Sequence, residues 1–140
     1  MSTVLWANVL VDGKVKSQQA DHAALYRHAK KLDALTRALA LPPFESLCDT
    51  TDLRFNVENL ELPAGMTSTD ELMAMQGAWL PIAEAIRLLT ALRDHVETTK
   101  PRFGLLGNQQ PEVLRELDEA LAFATAEAAQ ASRFNFSIVM

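Results

Sequence analysis

Cysteine is nearly absent: Cys48 is the only one in 140 residues. An intrachain disulfide is therefore excluded, and a reduced, cytoplasmic setting is the expectation. No Lys or Arg precedes Lys14, so the N-terminal stretch lacks the basic region of a secretory signal. Long apolar runs are missing too. Val4 to Val11 is interrupted by Asn8, and no other run approaches the roughly 18 residues that a membrane-spanning helix needs. Positive charge is in deficit, with 13 Lys and Arg against 18 Asp and Glu and a net charge of -5. Its densest cluster is Arg27, Lys30 and Lys31, followed at once by Asp33. Non-specific nucleic-acid binding needs a basic stripe to displace counterions, so the composition argues against it. The G-x-S-x-G, H-E-x-x-H, C-x-x-C, Walker and dinucleotide-binding motifs are all absent, and no cofactor is implied.

What is present is apolar residues, at 49% of a length that suits one domain spanning residues 1–140. Val4 to Val11 reads as a strand apolar on both faces, which belongs inside a sheet. Asp12-Gly13 is a hairpin signal, because both positions tolerate positive φ. Lys14-Val15-Lys16 is then the return strand, its lysines guarding an edge. Arg133 to Met140 alternates Phe134, Phe136, Ile138 and Met140 onto one side, the period of a buried strand. Thr51 to Val57 alternates as well, with Leu53, Phe55 and Val57 against Arg54, Asn56 and Glu58, and predicts a half-buried strand.

Between these lie helical periods. Leu25, His28, Ala29, Leu32, Leu35 and Leu39 predict a long helix from about Asp21, its N-cap, to the Pro42-Pro43 stop. Ser68 and Glu71 form a capping box for a short helix. Ile82, Ala85, Ile86, Leu89, Leu92 and Val96 mark a helix opened by Pro81. Leu114, Leu117, Leu121, Ala124 and Ala128 mark another opened by Pro111, with Glu112, Arg115, Glu116 and Glu119 on its solvated face. Strands at both ends with helices between them predict an α+β domain of two layers. Its small, mostly antiparallel sheet contains the N- and C-terminal strands, and about three to four helices pack on it.

No acid and base stand at a spacing that demands catalysis, so an interaction protein is favoured over an enzyme. His22 and His28 are six apart, which puts them on different faces of a helix and argues against a metal pair. His22 reads as first-turn surface, and His28 as a residue at the edge of the core stripe that bonds a neighbour. Two aspartates beside Cys48 disfavour a thiolate nucleophile. The adaptable Met73 and Met75, with Trp79, nominate a partner-binding surface, although Trp79 also suits an inward, core-capping role. Phe103, Leu105 and Leu106 extend that surface, because adjacent leucines in a glycine-bearing loop either fold back on the core or meet a partner. The occupant would be another protein or a second copy of the chain, with no nucleic acid and no membrane; an immunity-like regulatory module fits by class. The alternative is a small-ligand binder or enzyme with a pocket between sheet and helices, with His28, Asp49, Asp52, Arg54 and Arg102 at its mouth.

Overall fold

The computed structural model describes residues 2–140. Strand β1 (Val4–Val11) turns through Asp12 and Gly13, both at positive φ, into β2 (Lys14–Ser17). Strand β5 (Arg133–Val139) lies on the other side of β1, antiparallel, in a register running from Val4 opposite Val139 to Leu10 opposite Arg133. Two short strands share the free edge of β5. Strand β3 (Cys48–Asp49) runs parallel to Phe136 and Ser137, and β4 (Leu80–Pro81) runs antiparallel to Phe134 and Arg133. The sheet is thus antiparallel but for one two-residue pairing, and its two central strands are the N- and C-terminal ones, as their alternation predicts.

Alternation gives the central pair two unlike faces. Leu5, Ala7, Val9, Phe134 and Phe136 point into the core and are fully buried. Helices α5 (Ile82–Thr99) and α6 (Gln110–Glu127) meet this face with Ala85, Leu88, Leu89, Leu92 and Val96, and with Val113, Leu117, Ala120 and Ala124. Arg93 on α5 ties the two helices together at the surface through Asp118, 2.6 Å away. The opposite face carries Asn8, Asn135 and Ser137, buried but polar. Asn8 Nδ2 donates to Asn135 Oδ1 at 2.9 Å and to Ser137 Oγ at 3.0 Å, while Ser17 Oγ donates to Asn8 Oδ1 at 2.6 Å. A cross-strand polar row of this kind is tolerated inside a protein because its members satisfy one another.

Three elements depart from the sequence periods. The long first helix is two pieces, α1 (Ala23–Arg27) and α2 (Ala29–Ala38), joined at His28. Asp21 does not cap it; its carboxylate accepts the Trp6 indole N–H at 2.8 Å instead. The cap is Glu116, whose carboxylate accepts the N–H of Ala24 at 3.2 Å and of Leu25 at 3.0 Å. Glu116 is therefore buried on α6 rather than solvated. His22, placed at the surface by its position in the chain, is fully buried under the same junction, where its backbone pairs with that of Leu5.

The third departure is Thr51–Val57, which is helix α3, not a strand. The Asp49 carboxylate accepts the N–H of Thr51 at 3.0 Å, and this local bond starts a helical turn. Its alternation buried nothing fully, and Val57 stays 65% exposed. Helix α4 (Thr69–Gln76) follows, with the expected Ser68 Oγ accepting from the Glu71 N–H.

Candidate functional site

Asp49 and Asp52 act as staples. Besides Thr51, Asp49 accepts the N–H of Ala78 at 2.8 Å, and Asp52 accepts the Thr69 hydroxyl at 2.8 Å, tying α3 to the start of α4. Arg54 is exposed and faces Glu58 one turn on. Arg102 lies elsewhere, in the loop between α5 and α6, and His28 meets that loop from the α1–α2 junction. The five residues nominated for a pocket mouth therefore divide between two regions, and the four whose hydrogen bonds are resolved hold backbone or side chains of the fold.

The methionine segment divides similarly. Met73 is buried, and its carbonyl accepts the Trp79 indole N–H at 2.9 Å, so Trp79 is half-buried against α4. Met75 stands out at 72% exposure. Asp70, beside Asp52, has its carboxyl held above the usual range by burial first and by the Asp52 charge second.

The Arg102–Gln109 loop is different in kind. Phe103 is fully buried, packed edge-on against His28 with the Lys31 ammonium 5.1 Å from its ring centre. From that anchor the chain makes a closed turn. Arg102 donates to the carbonyls of Gly104 at 2.9 Å and Leu105 at 3.1 Å. The Asn108 side chain accepts the N–H of Phe103 at 2.9 Å, and the Gln109 N–H donates to the Phe103 carbonyl at 2.7 Å. Gly104 has φ +106, and a Cβ there would stand 2.5 Å from the Gly107 carbonyl oxygen, so only glycine closes the turn. At its tip Leu105 and Leu106 are 95% and 104% exposed. Of the two fates open to adjacent leucines, folding back on the core is not the one realised.

Helices α1 and α2, with His28 between them, support this loop from beneath. The Gln109 side-chain oxygen is bonded by His28 Nε2 at 2.6 Å and by Arg27 Nη1 at 2.9 Å, and Lys31 Nζ donates to the Arg102 carbonyl. Periodicity nominated His28 as a core-edge residue bonded to a neighbour, which it is; nothing in the sequence paired it with Gln109.

No family model matches the chain, and neither a curated protein nor a solved structure does. Its chemistry must be judged on its own residues. Among the described residues no three His, Cys, Asp or Glu side chains are grouped to hold a metal ion, and no helix is long and apolar enough to cross a membrane. Cys48 is half-buried, with its thiol pushed up to about 12 by burial and by Glu45, Asp33 and Asp49, so it is a poor nucleophile. It borders a cavity of about 310 Å³ between β1, β5 and the α1–α2 pair, with Leu5, Tyr26, Ala29 and Ile138 as its apolar wall and Lys30, Asp33 and Glu45 as its charged lining.

Proposed function

We propose that this chain is a small cytoplasmic interaction module that docks onto another protein through the Arg102–Gln109 turn, with Leu105 and Leu106 as its apolar tip. One observation carries the reading: two adjacent leucines stand 95% and 104% exposed on a turn whose backbone is fixed from both sides. Apolar side chains on an ordered, protruding turn fit a partner contact better than they fit an isolated fold. The ties to Arg102 and Asn108 favour binding, because the turn loses little conformational freedom when a partner closes over it. The methionine segment contributes less than its composition suggested, since Met73 faces inward, the Trp79 N–H is used internally and Met75 alone of the three is freely presented. An immunity-like or regulatory role suits this size and charge by class.

The test is purification of the protein from its native cells followed by size exclusion with light scattering. The wild type is expected in a complex of defined stoichiometry. A Leu105→Ser, Leu106→Ser double variant is expected to run as the free chain with an unchanged melting temperature. Equal masses for the two would refute the reading, and a complex that proves to be a homodimer would make a second copy the occupant.

A second reading is favoured by the 310 Å³ cavity, which is at the lower end of the size that holds a small ligand and has an apolar wall. Small apolar compounds that perturb the Leu5 and Ile138 methyl signals in NMR, and leave the turn unmoved, would support it.

A further inference from the structure

The same turn is ringed by positive charge in an otherwise acidic protein. Arg27 and Lys31 reach it from α1 and α2 through Gln109 and the Arg102 carbonyl, Arg102 closes it, and Lys100 precedes Arg102 by two residues. Elsewhere Lys16, Arg37, Arg54, Arg93 and Arg115 each have a carboxylate within 4.0 Å, whereas Lys14, Lys30, Arg87 and Arg133 have none among the described residues but are spread over other parts of the chain. Among the described residues Arg27, Lys31, Lys100 and Arg102 have none within that distance, and all four are exposed. The chain as a whole carries -5, so the collar is a local reversal of sign around the two most exposed leucines of the molecule.

From this juxtaposition we infer that the partner is an acidic protein surface, with an apolar cleft for Leu105 and Leu106 and carboxylates opposite Arg27, Lys31 and Arg102. The inference rests on the reading of the turn as a docking surface and adds the chemistry of what docks there. Three cations bonded to the base and backbone of the turn, with Lys100 two residues before it in the chain, favour carboxylates at the rim of the complementary cleft, where charge selects the partner and steers its approach. The hydrogen bonds already made by Arg27, Lys31 and Arg102 go to neutral oxygens, so each cation keeps its charge for an incoming anion. A basic partner would meet repulsion at the rim of the apolar contact. An anionic membrane is less favoured, because a two-leucine tip buries little area and the net negative body of the molecule would be repelled.

Three probes separate these possibilities: a helical peptide with leucines on one face and glutamates on the other, the same peptide with lysines for glutamates, and phosphatidylglycerol vesicles. Binding is read from backbone amide shifts of the full chain. The glutamate peptide is expected to move the signals of Gly104 to Gly107. Its affinity should exceed that of the lysine peptide by at least about tenfold, and should fall on the order of tenfold between about 50 mM and about 500 mM NaCl. An Arg27→Glu, Lys31→Glu variant should reverse the preference. If both peptides bind alike at the turn, independently of salt, and Leu105→Ser, Leu106→Ser abolishes both, the charge inference is overturned while the docking surface stands. If the vesicles bind at the turn and neither peptide does, a membrane surface replaces the acidic protein. Shifts that avoid the turn with every probe overturn the inference, and the complex seen or not seen in native cells then judges the docking surface separately.

Discussion

Glu116 on α6 caps a helix it is not part of: its Oε1 accepts the Leu25 backbone N–H at 3.0 Å, and its Oε2 that of Ala24 at 3.2 Å. A helix start leaves several N–H groups without intrahelical partners, and α1 has no side chain of its own to satisfy them. A charged acceptor bonded to two buried donors is worth more than a surface cap. Glu116→Ala should therefore destabilise the protein by about 2–4 kcal/mol. The melting temperature should fall by roughly 6–12 °C. Glu116→Gln keeps one acceptor and should lose about half as much. A change below about 0.5 kcal/mol in urea titration of the alanine variant would show that α1 is held by packing alone.

His22 lies under that cap with its Nε2 bonded to Gln18 Oε1 at 2.9 Å, while its buried Nδ1 has no hydrogen-bond partner among the described residues, the Glu119 carboxylate standing 4.0 Å away. Burial lowers its pKa below 6.5, and the nearby Glu116, Glu119 and Asp21 charges only partly oppose this, with Arg115 acting alongside burial. The unfolded chain then takes up the proton first as pH falls. Stability owed to neutral His22 is complete above pH 6.5 and is lost progressively below it, until the lowered folded-state value is passed. Wild type should lose melting temperature between pH 7 and pH 5 more steeply than His22→Gln, which has no ring to protonate. Parallel curves for the two proteins would contradict this. Asp33 adds a separate acid loss at lower pH, because its hydrogen bond to Arg37 holds its carboxyl below 3.8.

The parts of the fold that were legible in the sequence are those where one local pattern has one outcome. Phe134, Phe136 and Ile138 can share a face only in a strand, and Asp12-Gly13 turns the chain between Val11 and Lys14 whatever surrounds it. Illegible features depend on residues far apart in the chain. Glu116 looks solvated on α6 until α1 arrives 91 residues away and needs an acceptor. Leu53, Phe55 and Val57 alternate like a strand, yet the Asp49 side chain starts a helix there and β5 leaves room for only two residues of β3. For the candidate site, the residues at 103–106 were nominated from composition. The collar was not, because Arg27 and Lys31 reach Gln109 and Arg102 only through the packing of α1 and α2 against the loop.

Deleting residues 134–140 should abolish cooperative folding. The segment places Phe134 and Phe136, both fully buried, in the core and forms most of the ladder on β1. Each lost phenylalanine costs about 3–5 kcal/mol, and the lost strand adds to that, against a total stability of about 5–15 kcal/mol. Circular dichroism of the shortened chain should show no sigmoidal melt. A soluble, cooperatively melting product would mean that β1 finds its core without β5.

The docking turn is tested most directly by photocrosslinking in the native cells, with benzoylphenylalanine placed at position 106 or, as a control, at the exposed position 126 on α6. The account predicts one adduct of defined mass from position 106, none from position 126, and loss of that adduct when Leu105→Ser is added. No adduct from position 106, or equal adducts from both positions, would contradict it.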